Sequence, residues 1–307
     1  QVRGADGSIM PKSQKDDESF KNLCDLGFEH FGFNLYLEAR QVRFAYRMML
    51  DEPYDVKKQE FSKSTRKNLE STYKKGLSVR KGVEKDLPIM EDLFKDTATR
   101  KDFFYRKLDY YKEMYKYMKD LMTIYFAYLD PKKYLECAKE NLKEEQGKNK
   151  EILNKMEKDM IGAKLKSQKE ASDKRLIKLE NELKEAEEFQ KNYPEGKDIA
   201  CLLSMWNGEE FLTLTSGSLE KYRKFTPKYA MYDAHIKDAY KNGYKACNFY
   251  GISGNFEKEN NPLYGVYEFK RGFGGNVIEY IGEFTLPITK FNKFYNFLRG
   301  IKRMIKK

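Results

Sequence analysis

The sequence predicts a mixed α/β chain interrupted by a long helical arm. Three observations predict it. Aromatic-rich runs that read as strands alternate with amphipathic runs that read as helices. Over residues 131–192 the composition shifts to Lys, Glu, Leu, Asn and Gln, with one proline and two glycines. Strand patterns flank that shift, at 122–129 and 199–206, so the arm interrupts one domain.

The elements follow in order. Residues 1–16 are polar and loop-like. Phe20, Leu23, Cys24 and Leu26 have helical spacing, and Gly27 stands where a C-terminal cap belongs. The aromatic-rich runs 28–36 and 41–50 read as strands. "SKSTRKNLESTYKKG" (62–76) opens on capping hydroxyls, continues as helix and stops at Gly76. "LSVRKGV" is a short strand. The next helix, "LPIMEDLFKDTATRKDF", puts Leu87, Met90, Leu93 and Phe94 on one face. "LDYYKEMYKYMKDL" is another helix, and "MTIYFAYL" (122–129) a strong strand.

In the arm, Leu176, Leu179, Leu183 and Ala186 repeat by threes and fours, as a coiled-coil seam does. Leu135, Leu142, Ile152, Met156 and Met160 form a weaker stripe, and a reversal is expected around 162–173. Such a hairpin is either a spacer or an arm that touches a large partner. Beyond it, 199–206 and 209–217 read as a hairpin around Asn207-Gly208. "YAMYDAHIKDAYKNG" is a helix ended by Gly243, and "ACNFYG" a buried strand. In "NNPLYGVYEFKRGF", Asn261 is a candidate N-cap, Pro262 the first helical residue and Gly272 the stop, leaving Lys270 and Arg271 at the helix end. "VIEYIGEFTLPI" is a last strand. In 289–307 a basic amphipathic helix places Phe291, Phe294, Leu298, Ile301 and Ile305 on one face. Such a helix suits either an anionic membrane surface or its own domain.

Charge narrows the partners. Of 307 residues, 35% are charged, above the roughly 25% of globular domains, and the net charge is +11. That excess suits nucleic acid, an anionic membrane or a phosphorylated substrate, or else lysine serves only as a solubiliser. Cys24, Cys137, Cys201 and Cys247 form no C-x-x-C pair, which argues against a zinc site or dithiol motif and suits a reducing compartment. With only His30 and His235, a His-based metal site or a Ser-His-Asp triad is not expected; His235 reads as structural. No run of about 18 apolar residues suggests a membrane span, and no signal peptide is visible. The opening "QVRGADGS" lacks a Met and reads as the start of a fragment.

Four stretches carry a family resemblance: "SKSTRKNLESTYKKGLSVR" (62–80), "GSLEKYRKFTPKYAMYDAHIKDAYKNGY" (217–244), "NFYGISGNFEKENNPLYGVYEFKRGFGG" (248–275) and "VIEYIGEFTLPI" (277–288). From about residue 17 onward the chain resembles the Fem/Mur family of aminoacyl-tRNA-dependent peptidoglycan transferases of Gram-positive bacteria. The arm resembles that of the FemA-like branch. The "YGVYEFKRGF" block is the specific part.

The resemblance implies two acetyltransferase-like (GNAT-like) α/β subdomains with an inserted antiparallel coiled-coil arm. Residues 1–55 would end the first subdomain, whose beginning, about a hundred residues, would be missing. Residues 56–130 and 197–288 would form the second, 131–196 the arm and 289–307 the C-terminal helix. It implies transfer of Gly, Ala or Ser from aminoacyl-tRNA, a co-substrate and not a bound cofactor, to an amine on the stem peptide of a lipid-linked or UDP-linked muropeptide. The setting would be cytoplasmic, at the inner face of the cell membrane.

Aminolysis of an activated ester needs a neutral amine, a stabilised oxyanion and two substrates held together, but no enzyme nucleophile. By its match to the FKRGF motif, Lys270 would stabilise the oxyanion; on the residues alone it equally well complements its helix's negative end. Arg271, Phe269, Phe273, Tyr250 and Gly251 are candidates to bind the aminoacyl end of the tRNA, with core packing the alternative for both phenylalanines. Gly251 and Gly254 would let backbone approach a ligand. Lys63, Arg66, Lys67, Arg100, Arg106 and Tyr222 are candidates for the acceptor and its phosphates. Asp102 departs from the small residue usual in the family there, which weakens the transfer of Arg100 and Arg106. No general base is assignable. A non-catalytic RNA-binding module and an acyltransferase with another acyl donor are the competing readings.

Overall fold

The computed structural model describes residues 1–307 apart from 12, 14, 37–41, 103, 159–161, 260 and 306–307, and for 299–305 it describes the backbone alone. In chain order the elements are β1 (Val2–Arg3), α1 (Asp17–Asp25), β2 (Glu29–His30), β3 (Phe44–Met49), α2 (Tyr54–Glu60), α3 (Lys63–Lys74), β4 (Leu77–Lys81), α4 (Leu87–Lys101), α5 (Leu108–Met118) and β5 (Met122–Leu129). Then come α6 (Pro131–Lys158), α7 (Ala163–Asn192), β6 (Lys197–Asn207), β7 (Glu210–Ser218), α8 (Pro227–Lys241), β8 (Ala246–Ile252), α9 (Tyr264–Arg271), β9 (Asn276–Glu279), β10 (Phe284–Thr285) and α10 (Lys290–Ile305). Two compact units result. One comprises Gln1–Thr65, Trp206–Leu214 and Ala239–Lys307; the other comprises Arg66–Met205 and Thr215–Asp238.

In the first unit, β9 pairs antiparallel with β1 and β3, and β3 pairs antiparallel with β8. Glu210–Leu212 of β7 runs parallel to Ala246–Asn248 of β8. Alternation along β3 buries Phe44, Tyr46 and Met48. They meet a core that includes Phe249, Tyr267 and Phe273. The β3–β8 ladder slips by one residue: Ala45 faces Gly251 but Arg47 faces Asn248. Phe249 and Tyr250 thus stand opposite Tyr46 alone, a β-bulge, and Tyr250 adopts φ +61°.

In the second unit, β4, β5 and β6 form antiparallel ladders. The predicted face of α4, with Leu87, Met90, Leu93 and Phe94, is buried. Arg80 grips both Asp86 (2.9 Å) and Asp198 (2.5 Å) while lying over the Phe126 ring at 4.5 Å. The arm helices α6 and α7 pack on each other. Ala186 and Phe189 are buried along the seam, and so is a polar layer of Glu145, Asn149 and Ser172. Ser172 donates to Glu145 at 2.8 Å, and Asn149 donates to Ser172 at 3.0 Å. A satisfied polar layer in an apolar seam fixes register, because a slipped pairing would bury it unpaired.

Most predicted elements stand where the patterns put them, with four corrections. The run 28–36 is strand only at Glu29–His30, where it meets Phe284–Thr285. The final strand is split into β9 and β10. The arm reverses before Ala163, ahead of the expected 162–173; Met160 lies outside the described residues. The helix α9 begins at Tyr264, not Pro262, because the Asn261 side chain accepts from Leu263 N at 2.9 Å and closes a separate turn first.

Candidate active site

The first unit holds the motif block. Lys270 lies in the last turn of α9 and is 7% exposed. Its ammonium donates to the carbonyls of Gly251 at 2.7 Å and Tyr250 at 3.2 Å. These are Tyr250 of the β8 bulge and the residue that follows it, so Lys270 does more than sit at the negative end of its own helix. Two carbonyl partners fix the direction of a buried ammonium.

The end of α9 is locked to the start of α3. Ser62 N donates to Gly272 O at 2.8 Å, and the Ser62 hydroxyl caps Thr65 N at 3.1 Å. A Cβ on Gly272 would lie 2.2 Å from Thr65 Oγ1, so this glycine permits the close approach. Gly254 serves packing in the same way: a Cβ there would meet the Phe44 ring at 2.2 Å, so the close approach is to the core.

Phe273 is fully buried, its ring meeting Phe61 at 5.2 Å, Phe269 at 5.4 Å and Phe249 at 5.8 Å. It packs the core, and stacking on a base would require leaving it. Phe269 is half-buried and Arg271 exposed, its guanidinium 6.0 Å from the Tyr267 ring. Lys63 is exposed at the first turn of α3.

Beside the bulge lies a cleft of about 380 Å³, lined by Val42, Asn207, Glu210, Leu212, Asn248, Tyr250, Tyr280, Ile281 and Gly282. Glu210 accepts from Arg47 at 2.8 Å and from Asn248 at 2.7 Å. Asn248 also donates to Tyr280 at 3.2 Å, and its carbonyl oxygen accepts from Tyr250 N at 2.9 Å. Burial raises the pKa of both the Tyr250 and Tyr280 phenols, so they are neutral hydrogen-bonding groups at pH 7. Sequence reading missed Glu210, Asn248, Arg47 and Tyr280. The one signal was the second of two glutamates after the Asn-Gly turn, Glu209 and Glu210, a pair that reads as surface.

The second unit holds the other candidates. Arg66 and Lys67 are exposed on α3. Arg100 donates to Ser218 O at 2.9 Å and pairs with Glu220 at 3.0 Å, which neutralises it locally. Arg106 is exposed and lies over Tyr110 at 5.0 Å and Phe104 at 5.2 Å. Tyr222 is buried beside Phe189 and Phe225, and burial with a bond to Tyr193 pushes its phenol up to about 12. Lys228, in the first turn of α8, is pushed down to about 8 by burial and by the charges of Lys101, Arg100 and Arg223. His235 is fully buried, with Nδ1 3.0 Å from the Ser204 hydroxyl, as a core histidine would be. Among the described residues no His, Cys, Asp and Glu cluster could hold a metal ion.

The FemAB family model matches residues 1–302. The chain belongs to the FemAB family. Among its FemAB relatives are aminoacyltransferase FemB of Staphylococcus epidermidis, 30% identical over 98% of this chain and 72% of that protein, and FemA of the same species, 30% identical over 94% and 69%. FemA of Staphylococcus aureus is 30% identical over 93% of this chain and 68% of that one. Among solved structures, FemX aligns with a TM-score of 0.66 and 25% identity, over 88% of this chain and 68% of FemX. The likeness to FemX bears out the α/β fold class, and the matches bear out the family resemblance.

Proposed function

We propose that this FemAB protein transfers an amino acid from aminoacyl-tRNA to the stem peptide of a peptidoglycan precursor, building an interpeptide bridge. Family membership supports the reaction class, since the relatives are named aminoacyltransferases. The observation that carries the site is Lys270, buried in the motif block and anchored on the β8 bulge. In this reading the acceptor amine attacks the ester carbonyl, the carbonyl oxygen becomes an oxyanion, and Lys270 stabilises it. Collapse breaks the bond to the tRNA oxygen, and the proton lost by the amine, carried by solvent or a substrate phosphate, restores the tRNA hydroxyl. No enzyme nucleophile and no bound cofactor take part. Phe269 and Arg271 would hold the tRNA end, with Tyr250 and Gly251 fixing Lys270. Lys63, in the same unit, would meet an acceptor phosphate.

The proposed setting is the inner face of the cell membrane. No helix among the described residues is long and apolar enough to cross a membrane. The helix α10 binds its own unit through Asn296, which donates to Glu29 at 3.0 Å, yet leaves Phe291, Phe294 and Phe297 exposed among lysines. That combination suits an anionic surface.

A donor comparison tests the reading. Charged tRNA, acetyl-coenzyme A and uncharged tRNA are each offered with an amine acceptor. Turnover with charged tRNA alone is expected. Turnover with acetyl-coenzyme A alone would favour another acyl donor, and RNA binding without any turnover a non-catalytic module.

A further inference from the structure

We propose that the cleft lined by Glu210, Asn248, Tyr250 and Tyr280 is a binding site for a primary ammonium on an amino-acid-sized group. The cleft's volume of about 380 Å³ is at the low end of ligand pockets, which run from roughly 300 to 1,000 Å³. That suits an amino acid better than a nucleotide. Among the described residues, its lining carries one carboxylate, two amides, two phenol rings and aliphatic walls, and no cation.

The carboxylate is pre-set. A carboxylate offers about four acceptor positions, and Arg47 and Asn248 take one on each Glu210 oxygen. Both partners hold Glu210 oriented, and each oxygen keeps an acceptor position. Asn248 is itself fixed by Tyr280 and by the backbone of Tyr250. The bulge turns Tyr250 into φ +61°, so its side chain lines the cleft while its carbonyl accepts from Lys270. Two neutral phenol rings add a face that attracts an ammonium. Arg47 offsets part of the carboxylate's charge, which favours a compact donor that bonds directly over a distant cation.

Both substrates of the proposed transfer carry such a group: the α-amine of the donor amino acid, and the acceptor amine. This inference rests on that reading only for the identity of its ligand. Amine binding is measured without tRNA or muropeptide, so its failure is distinguishable from failure of the transfer.

The test is binding by NMR chemical-shift titration at pH 6.5, below the α-amino pKa of about 8. Glycinamide represents the donor, and Nα-acetyl-lysine amide the acceptor. N-acetylglycinamide is the control without an amine. At least one amine is expected to shift cleft resonances with at least tenfold higher affinity than the control. If glycinamide alone binds, the site serves the donor; if the lysine derivative alone binds, it serves the acceptor. Equal binding of amine and control, or of neither, overturns the proposal. Glu210→Gln should lower amine affinity at least tenfold, and Tyr280→Leu several-fold. Tyr280 is 40% exposed, so its removal leaves the core intact. Should Glu210→Gln fail to fold, Tyr280→Leu decides: unchanged amine affinity overturns the proposal.

Discussion

Replacing Lys270 with Met separates a catalytic ammonium from a structural one. Two buried carbonyls, on Tyr250 and Gly251, lose their donor in this variant. Charge-assisted hydrogen bonds contribute about 1.5–3 kcal/mol each, but the variant also removes the desolvation cost of a buried cation. A net loss of about 1–3 kcal/mol follows. Against the roughly 5–15 kcal/mol that holds a native chain, even the larger loss from the smaller total leaves about 2 kcal/mol, or about 97% folded. Unfolding therefore changes turnover by only a few per cent. Losing a donor aimed at an oxyanion costs about 10²–10³ in kcat. The two effects differ in size by more than a factor of ten and are read separately: thermal melting for the first, single-turnover aminoacyl transfer for the second. A Lys270→Met protein that melts lower yet transfers within about twofold of wild type would refute the oxyanion role and leave Lys270 as a prop for the bulge.

Three further outcomes are expected. Gly272→Val should destabilise by about 1–3 kcal/mol, measured by denaturant unfolding, because its side chain meets Thr65 at the α3 cap; Gly265→Ala, inside α9 with nothing within 4 Å of its Cβ, should not destabilise and should gain up to about 1 kcal/mol. Asp86 is held below its usual pKa mainly by Arg80. Its folded pKa is depressed, so its stabilisation is present above about pH 4 and lost as pH falls through the lowered folded value. Asp86→Asn should lower the melting temperature at pH 7 and shrink the deficit toward pH 2. Lys228 has its pKa depressed to about 8 in the fold. The neutral form is favoured there, so its penalty is absent above about pH 10.4 and full below about 8. Lys228→Met should raise the melting temperature at pH 7, and the gain should disappear near pH 10.5.

The sequence disclosed whatever follows a period. The strand at Met122–Leu129 and the α7 seam of Leu176, Leu179, Leu183 and Ala186 depend on side chains a few residues apart, so local spacing was enough. The start of α9 was misplaced because Asn261 caps a turn with the same chemistry that caps a helix. The bulge was invisible because a tyrosine, not a glycine or asparagine, takes the left-handed conformation there. Glu210 was missed because its partner Asn248 lies 38 residues away and meets it only through parallel pairing. Lys270 was found through the motif block. Its partners on the bulge are tertiary and were not.

The most direct measurement offers the protein a set of charged tRNAs carrying labelled amino acids, together with a lipid-linked muropeptide, and weighs the product by mass spectrometry. The account predicts one added residue of Gly, Ala or Ser on the stem peptide, or on a residue already attached to it. No mass gain with any charged tRNA, from folded protein that binds the acceptor, would contradict it.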